Sequence, residues 1–217
     1  MRLTKMGHAC IRLENDGTTL VIDPGGLTEP EALDGADAVL ITHEHFDHFD
    51  EGRLRAALDA SPGLRVWTNA ATAAKLDGPA GRVRAVGHGD TFEVGGVQVE
   101  VHGEWHAVIH PEIPRVGNVG FLIEGKVFHP GDAFTVPERA VDTLMVPISG
   151  PWQKAAEVID YVRAVKPARA YSVHDEVLSE IGKTVVNGLL GANGPGAGAP
   201  YERLSPGDTV KIQPGGR

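Results

Sequence analysis

Short apolar runs broken by glycine and proline set the rhythm of the chain. Cys10-Ile11-Arg12-Leu13-Glu14 alternates apolar and polar positions, Asn15-Asp16-Gly17 supplies a turn, and Thr19-Leu20-Val21-Ile22 ends in an apolar run; together they predict a hairpin. Asp23-Pro24-Gly25-Gly26 closes it, and a loop follows through Gly35. Ala38-Val39-Leu40-Ile41 reads as a buried strand. Leu54, Ala57 and Leu58 then recur at helical spacing within residues 51–60, before Ser61-Pro62-Gly63 stops the pattern. Strands are expected at 64–67, 82–86, 91–94 and 97–101, with a short helix at 70–76. A second hairpin is expected from 119–123 and 126–128, turning at Glu124-Gly125. The last third changes character. A strand at 143–146 leads to an amphipathic helix at 152–165, with Ala156, Ile159, Val162 and Val165 inward. A strand at 168–173 leads to a helix at 176–190. Residues 191–200 are nearly all Gly, Ala and Pro, expected as a flexible surface segment, and 210–212 as a returning edge strand. Strand-rich halves, each closed by helices, predict an α/β (α+β) fold with two sheets face to face and helices outside, a four-layer αββα sandwich.

Composition narrows the classes. The 217 residues suit one domain, taken as 1–217, and 28 glycines with 15 prolines favour short strands and loops over a bundle. A single cysteine, Cys10, excludes an internal disulfide framework and a thiolate-rich zinc site. No apolar run approaches the length of a membrane span, and no secretory signal follows Met1-Arg2-Leu3-Thr4-Lys5-Met6-Gly7, so a cytoplasmic location is expected. The net charge of −9 weighs against a nucleic-acid partner. Ten histidines are present, three of them within six positions.

Those three lie in Thr42-His43-Glu44-His45-Phe46-Asp47-His48, between the 38–41 strand and the 51–60 helix. Extended backbone puts alternate residues on one side, so His43 and His45 can share a cation. Asp47 follows in phase, and the turn into the helix swings His48 toward a second position. Imidazoles with a carboxylate form a nitrogen–oxygen donor set suited to zinc, manganese or iron.

Thr-His-x-His-x-Asp-His at a strand end resembles the signature of the metallo-β-lactamase-fold hydrolases. That resemblance implies three further ligands, each with a counterpart in order: His106 after the 97–101 strand, Asp132 in His129-Pro130-Gly131-Asp132, and His174 in Ser172-Val173-His174. Gly7-His8-Ala9-Cys10-Ile11 and Val21-Ile22-Asp23-Pro24 are similar to a compact branch related to ascorbate-6-phosphate lactonase and to the phospholipase D acting on N-acyl phosphatidylethanolamine. One departure stands out. Ala133 follows Asp132 where that family commonly has Thr or Ser, which puts a supporting hydrogen bond in question. Glu44 lies between the histidines and His45 holds the ligand position, unlike the flavodi-iron oxidoreductases. No helical C-terminal domain of the glyoxalase II kind is expected in these 217 residues.

The resemblance implies that His43, His45 and His106 hold one divalent transition-metal ion and that Asp47, His48 and His174 hold a second, with Asp132 bridging. Zinc is expected first, with manganese, iron or nickel as alternatives. Such a pair activates a water for attack on an ester, lactone or phosphodiester bond of a small, anionic substrate, and Asp47 also orients the nucleophile. His110, four residues past His106, is a candidate proton donor to the leaving group, and His8, after the first strand, a candidate at the site mouth. Two other readings use the same residues: a nuclease akin to the tRNA-processing enzymes, and a metal-binding protein without turnover. The segments 25–35 and 111–118 are expected to cover the substrate.

Overall fold

The computed structural model describes residues 1–76 and 81–213. Its first sheet contains β1 (Arg2–Lys5), β2 (Ile11–Asn15), β3 (Thr18–Ile22), β4 (Ala38–Ile41), β5 (Arg65–Thr68) and β6 (Val83–Ala85) in spatial order, with the late β14 (Thr209–Lys211) outside β1. The second contains β7 (Thr91–Val94), β8 (Val97–His102), β9 (Gly120–Ile123), β10 (Val127–His129), β11 (Thr143–Pro147), β12 (Arg169–Val173) and β13 (Tyr201–Glu202), also in spatial order. The helices are α1 (Glu51–Ala60), α2 (Ala70–Leu76), α3 (Ala155–Val165) and α4 (Glu180–Leu190).

Three apolar layers explain the stacking. Leu13, Leu20 and Leu40 of one sheet meet Val99, Phe121 and Met145 of the other in a central core. On the outer face of the first sheet, Leu54, Leu58 and Leu76 of α1 and α2 pack on Val21, Val39 and Val66. On the outer face of the second, Val158, Val162 and Leu190 of α3 and α4 pack on Leu144, Val146 and Ala170. The order is therefore helix, sheet, sheet, helix, as the pattern predicts. β3 and β4, buried at every position, pair in parallel. The β2–β3 turn puts Asp16 and Gly17 at φ of 48° and 87°, the double left-handed geometry that Asp-Gly suits.

Several expectations change. The helix expected from residue 152 begins at Ala155, because Glu157 Oε2 accepts the Lys154 N–H at 2.8 Å and fixes the start there. Ala156 is exposed, and the inward face is Val158, Ile159, Tyr161 and Val162. The last long helix begins at Glu180 rather than 176, with Ser179 as its N-cap. Residues 191–200 do more than span a surface: Ala197 is buried in the outer core beside α3 and α4. The 25–35 loop contains a 3-10 turn at Pro30–Leu33. No helix among the described residues is long and apolar enough to cross a membrane.

One burial is unusual. Lys5 is fully buried on the core-facing side of β1. Its Nζ donates to the carbonyls of Gly7 and His8 and to Asp175 Oδ1 at 2.9 Å, while Arg203 Nε donates to the other oxygen of Asp175 at 2.8 Å. Burial lowers the Lys5 pKa and Asp175 opposes that shift. The ion pair ties the end of β1 to the segment after β12, across the two sheets.

Candidate metal centre

Five segments that leave the carboxyl ends of strands meet at one rim of the sandwich, those after β1, β4, β8, β10 and β12. They deliver His8, the 42–48 segment, His106, Asp132 and His174. Two groups of four ligand atoms result: His43, His45, His106 and Asp132 in one, and His8, Asp47, His48 and His174 in the other, each group's atoms within 4.8 Å of one another. Asp132 lies against both. Its Oδ2 is 3.4 Å from His106 Nε2 and 3.0 Å from His174 Nε2, and its Oδ1 is 3.2 Å from His48 Nε2.

Local chemistry aims the rings. Asp23, fully buried at the end of β3, accepts the Thr42 N–H, the Thr42 hydroxyl and His48 Nδ1–H, all at 2.7 Å. With its hydroxyl proton given to Asp23, Thr42 Oγ1 is left to accept from His43 Nδ1 at 3.0 Å. His106 Nδ1 donates to the Ala107 carbonyl at 2.6 Å. Each of these three rings thus spends its Nδ1 proton outside the cluster and turns an Nε2 lone pair inward, the tautomer a metal ligand needs. Glycine makes the close approach feasible: a Cβ on Gly25 would sit 2.1 Å from the carbonyl carbon of Asp47.

A donor set can be tested against a cation by the atoms it leaves unsatisfied. His8 Nε2, His48 Nε2, His106 Nε2, both ring nitrogens of His174 and Asp132 Oδ1 are buried without hydrogen-bond partners. Buried polar atoms are rarely left so; others occur elsewhere, such as Trp67 Nε1, His102 Nε2 and Arg169 Nε, but among the described residues these six converge on the two ligand groups. The residues fit divalent cations.

The charges follow from the crowding. Burial would raise the Asp132 carboxyl, but His48 and His174 hold it well below the usual carboxylate range. Burial also works against charge on Asp47, and His174 and His8 hold it low. His48 is raised well above the ordinary imidazole value despite burial, because Asp132 and Asp23 flank it, and His174 is raised by Asp132. His43 is pushed down by burial and by His48. His45 is pushed down by burial and by His106.

Two of the expected residues sit elsewhere than the sequence suggests. His8 is not at the mouth: it is fully buried behind Asp47, its Nε2 3.3 Å from Asp47 Oδ2. Its Nδ1 accepts the Glu176 N–H at 3.1 Å, so Nε2 carries the proton in the neutral ring, the reverse of the tautomer that His43, His48 and His106 adopt. His110 is exposed, with Nδ1 taking the N–H of Glu112, and it lines an adjoining groove with Trp105 and Ile113 rather than the cavity over the cluster. Of the two loops expected to cover the substrate, 111–118 borders that same groove, and 25–35 buttresses the 46–48 backbone through Gly25 and the Gly26 N–H to Phe46 carbonyl bond at 2.7 Å.

Sequence reasoning missed three supports. Asp23 stood in a quoted motif, but no local signal tied it to Thr42 and His48. Asn118 accepts the Asp132 N–H through Oδ1 at 3.0 Å. Trp152 Nε1 donates to Asp132 Oδ2 at 3.1 Å, so an indole supplies a bond to the carboxylate whose next residue is Ala133.

Relatives place the chain independently of this geometry. Residues 2–174 match the family model described as the Beta-lactamase superfamily domain. Protein Rv0786c of Mycobacterium tuberculosis is 39% identical over 196 residues, covering 88% of this chain and 91% of that one. A UPF0173 metal-dependent hydrolase of Aeropyrum pernix is 29% identical, covering 80% and 81%. Igni18, a metallo hydrolase of Ignicoccus hospitalis, shares the fold at a TM-score of 0.73 and 19% identity, covering 96% and 97%. With a family model spanning residues 2–174 of its 217, the chain belongs to the β-lactamase superfamily.

Proposed function

We propose that the protein hydrolyses an ester, lactone or phosphodiester bond of a small molecule with two divalent cations as cofactors. The observation that carries the reading is the set of buried ligand atoms without partners, divided between two groups that share Asp132. His43, His45 and His106 would hold one ion, and Asp47, His48 and His174 the other. When bound, such a pair lowers the pKa of a shared water toward roughly 7 and polarises the substrate oxygen. Nitrogen and carboxylate donors without a thiolate favour zinc, with manganese, iron or nickel as alternatives.

The chain's own groups do the rest. Asp23 and Thr42 fix the tautomers of His48 and His43. Trp152 and Asn118 hold Asp132 in place between the groups. Asp47 lines the cavity as a carboxylate and is placed to orient a water by accepting its proton in a hydrogen bond. Two divalent charges against two carboxylates leave a formal +2 at the cavity floor, which suits a reacting head that carries or develops negative charge. His8, with its N–H turned toward Asp47, acts as a positioning residue. His8→Ala is expected to bind two ions still and to lose about tenfold in kcat, with His8→Gln, which keeps an N–H, restoring most of it. Loss of one ion in His8→Ala would make the residue a ligand instead.

Metal analysis and turnover test the whole reading. Protein purified without chelator should carry close to two transition-metal ions per chain. Their removal should lower Tm, since each ion at a hundredfold excess over its Kd contributes about 2.7 kcal/mol. A panel of carboxylic ester, phosphodiester, phosphomonoester, lactone, thioester and β-lactam substrates identifies the bond. A chain that retains no ions overturns the cofactor reading. A doubly loaded chain inert to the ester, lactone and phosphodiester members overturns the bond class.

A further inference from the structure

The cavity over the cluster, about 510 Å³, is two-faced. One wall is the ligand set. The other is built by Phe46, Ile109, Pro151, Trp152, Val177 and Leu178, with no Lys or Arg among its described lining residues. Its remaining polar side chains are already committed. The Ser149 hydroxyl donates to the His174 carbonyl, and the Trp152 N–H is spent on Asp132, so the indole offers the cavity only its ring. At the mouth, Phe46 and Val177 stand 69% and 58% exposed, large apolar side chains with nothing over them. All the positive charge the site can offer therefore lies at the cations, and none at the far end.

We infer that the substrate is a carboxylic ester or lactone whose non-reacting part is an uncharged, apolar acyl group, seated between Phe46 and Val177 at the mouth and Trp152 and Leu178 within. The reacting head of this inference rests on the hydrolase reading above; the apolar part rests on the cavity alone. A phosphate or carboxylate on the distal end would be desolvated against aliphatic and aromatic carbon without a cationic partner, which is unfavourable. Each methylene laid into the cavity gains apolar burial worth about a threefold to fourfold increase in kcat/KM. Phe46 owes its place to the signature itself: it fills the open position between His45 and Asp47, so the motif that carries the ligands also sets the entrance.

The experiment uses metal-loaded protein and p-nitrophenyl esters of acetic, butyric, hexanoic and octanoic acids, with the octanedioic half-ester as a charged counterpart. The inference expects kcat/KM to climb from acetate to octanoate by at least thirtyfold, and the half-ester to fall at least tenfold below octanoate. Val177→Asp and Leu178→Asp should each cut the octanoate-to-acetate ratio at least tenfold with metal content unchanged. Binding of octanoate and acetate, followed by tryptophan fluorescence and calorimetry, reads the cavity without turnover. Octanoate should bind at least tenfold more tightly in the parent protein and lose that advantage in both variants. Rates or affinities indifferent to chain length, or a preference for the half-ester, overturn the inference and leave the hydrolase reading standing. Length-dependent binding without ester turnover upholds the cavity reading and sinks the ester bond.

Discussion

Asp132→Ala should remove at least about a hundredfold of the hydrolytic rate, the upper range seen when even groups supporting a metal ligand are lost, and should cut the metal content below two ions per chain. The reason is position. A single carboxylate, nearly buried, reaches His106 and His174 with one oxygen and His48 with the other, at 3.0–3.4 Å. No other acid among the described residues touches both groups, since Asp47 belongs to one alone. Elemental analysis beside a rate assay decides it, and a variant keeping both ions and most of its rate would remove Asp132 from the centre.

Asp23→Asn should have the next largest effect without touching the cavity. The amide keeps the size and tolerates the left-handed backbone of this position, φ 52°. It cannot accept on both sides, so His48 Nδ1–H or the Thr42 donors would face an NH2 group. A buried donor left without an acceptor costs about 1–3 kcal/mol, and the disturbed His48 tautomer should weaken metal affinity roughly 10–100-fold. Thermal unfolding and competition with a chelator measure the two effects separately. An unchanged metal affinity would mean that His48 keeps its tautomer without Asp23.

The sequence makes some of this legible for definite reasons. Helix bounds at 51–60 and 70–76 and the strand at 38–41 agree with the structure because local stops and apolar periodicity carry the whole signal there. The two-residue β13 has too few positions for any period, and Ala197 is buried by packing that a Gly/Ala/Pro run does not announce. The reach of Asp23 to His48 crosses 25 residues and depends on β3 and β4 lying side by side. The same holds for His8: strand order, not local pattern, puts it behind Asp47. A lysine near the start of a chain reads as a surface residue, and only the meeting of two sheets makes Lys5 an interior one.

The pairing of β1 with β14 has a consequence for synthesis. Thr4 and Thr209 meet across 205 residues, and Lys5 waits 170 for Asp175. At about 5–20 residues per second on the ribosome, the outer edge of Arg2–Lys5 stays open for roughly 10–40 s. An unpaired edge invites association with a neighbouring nascent chain, and a charge pointing inward from such an edge discourages it. Lys5, buried against Asp175 in the folded chain, is such an inward charge on β1.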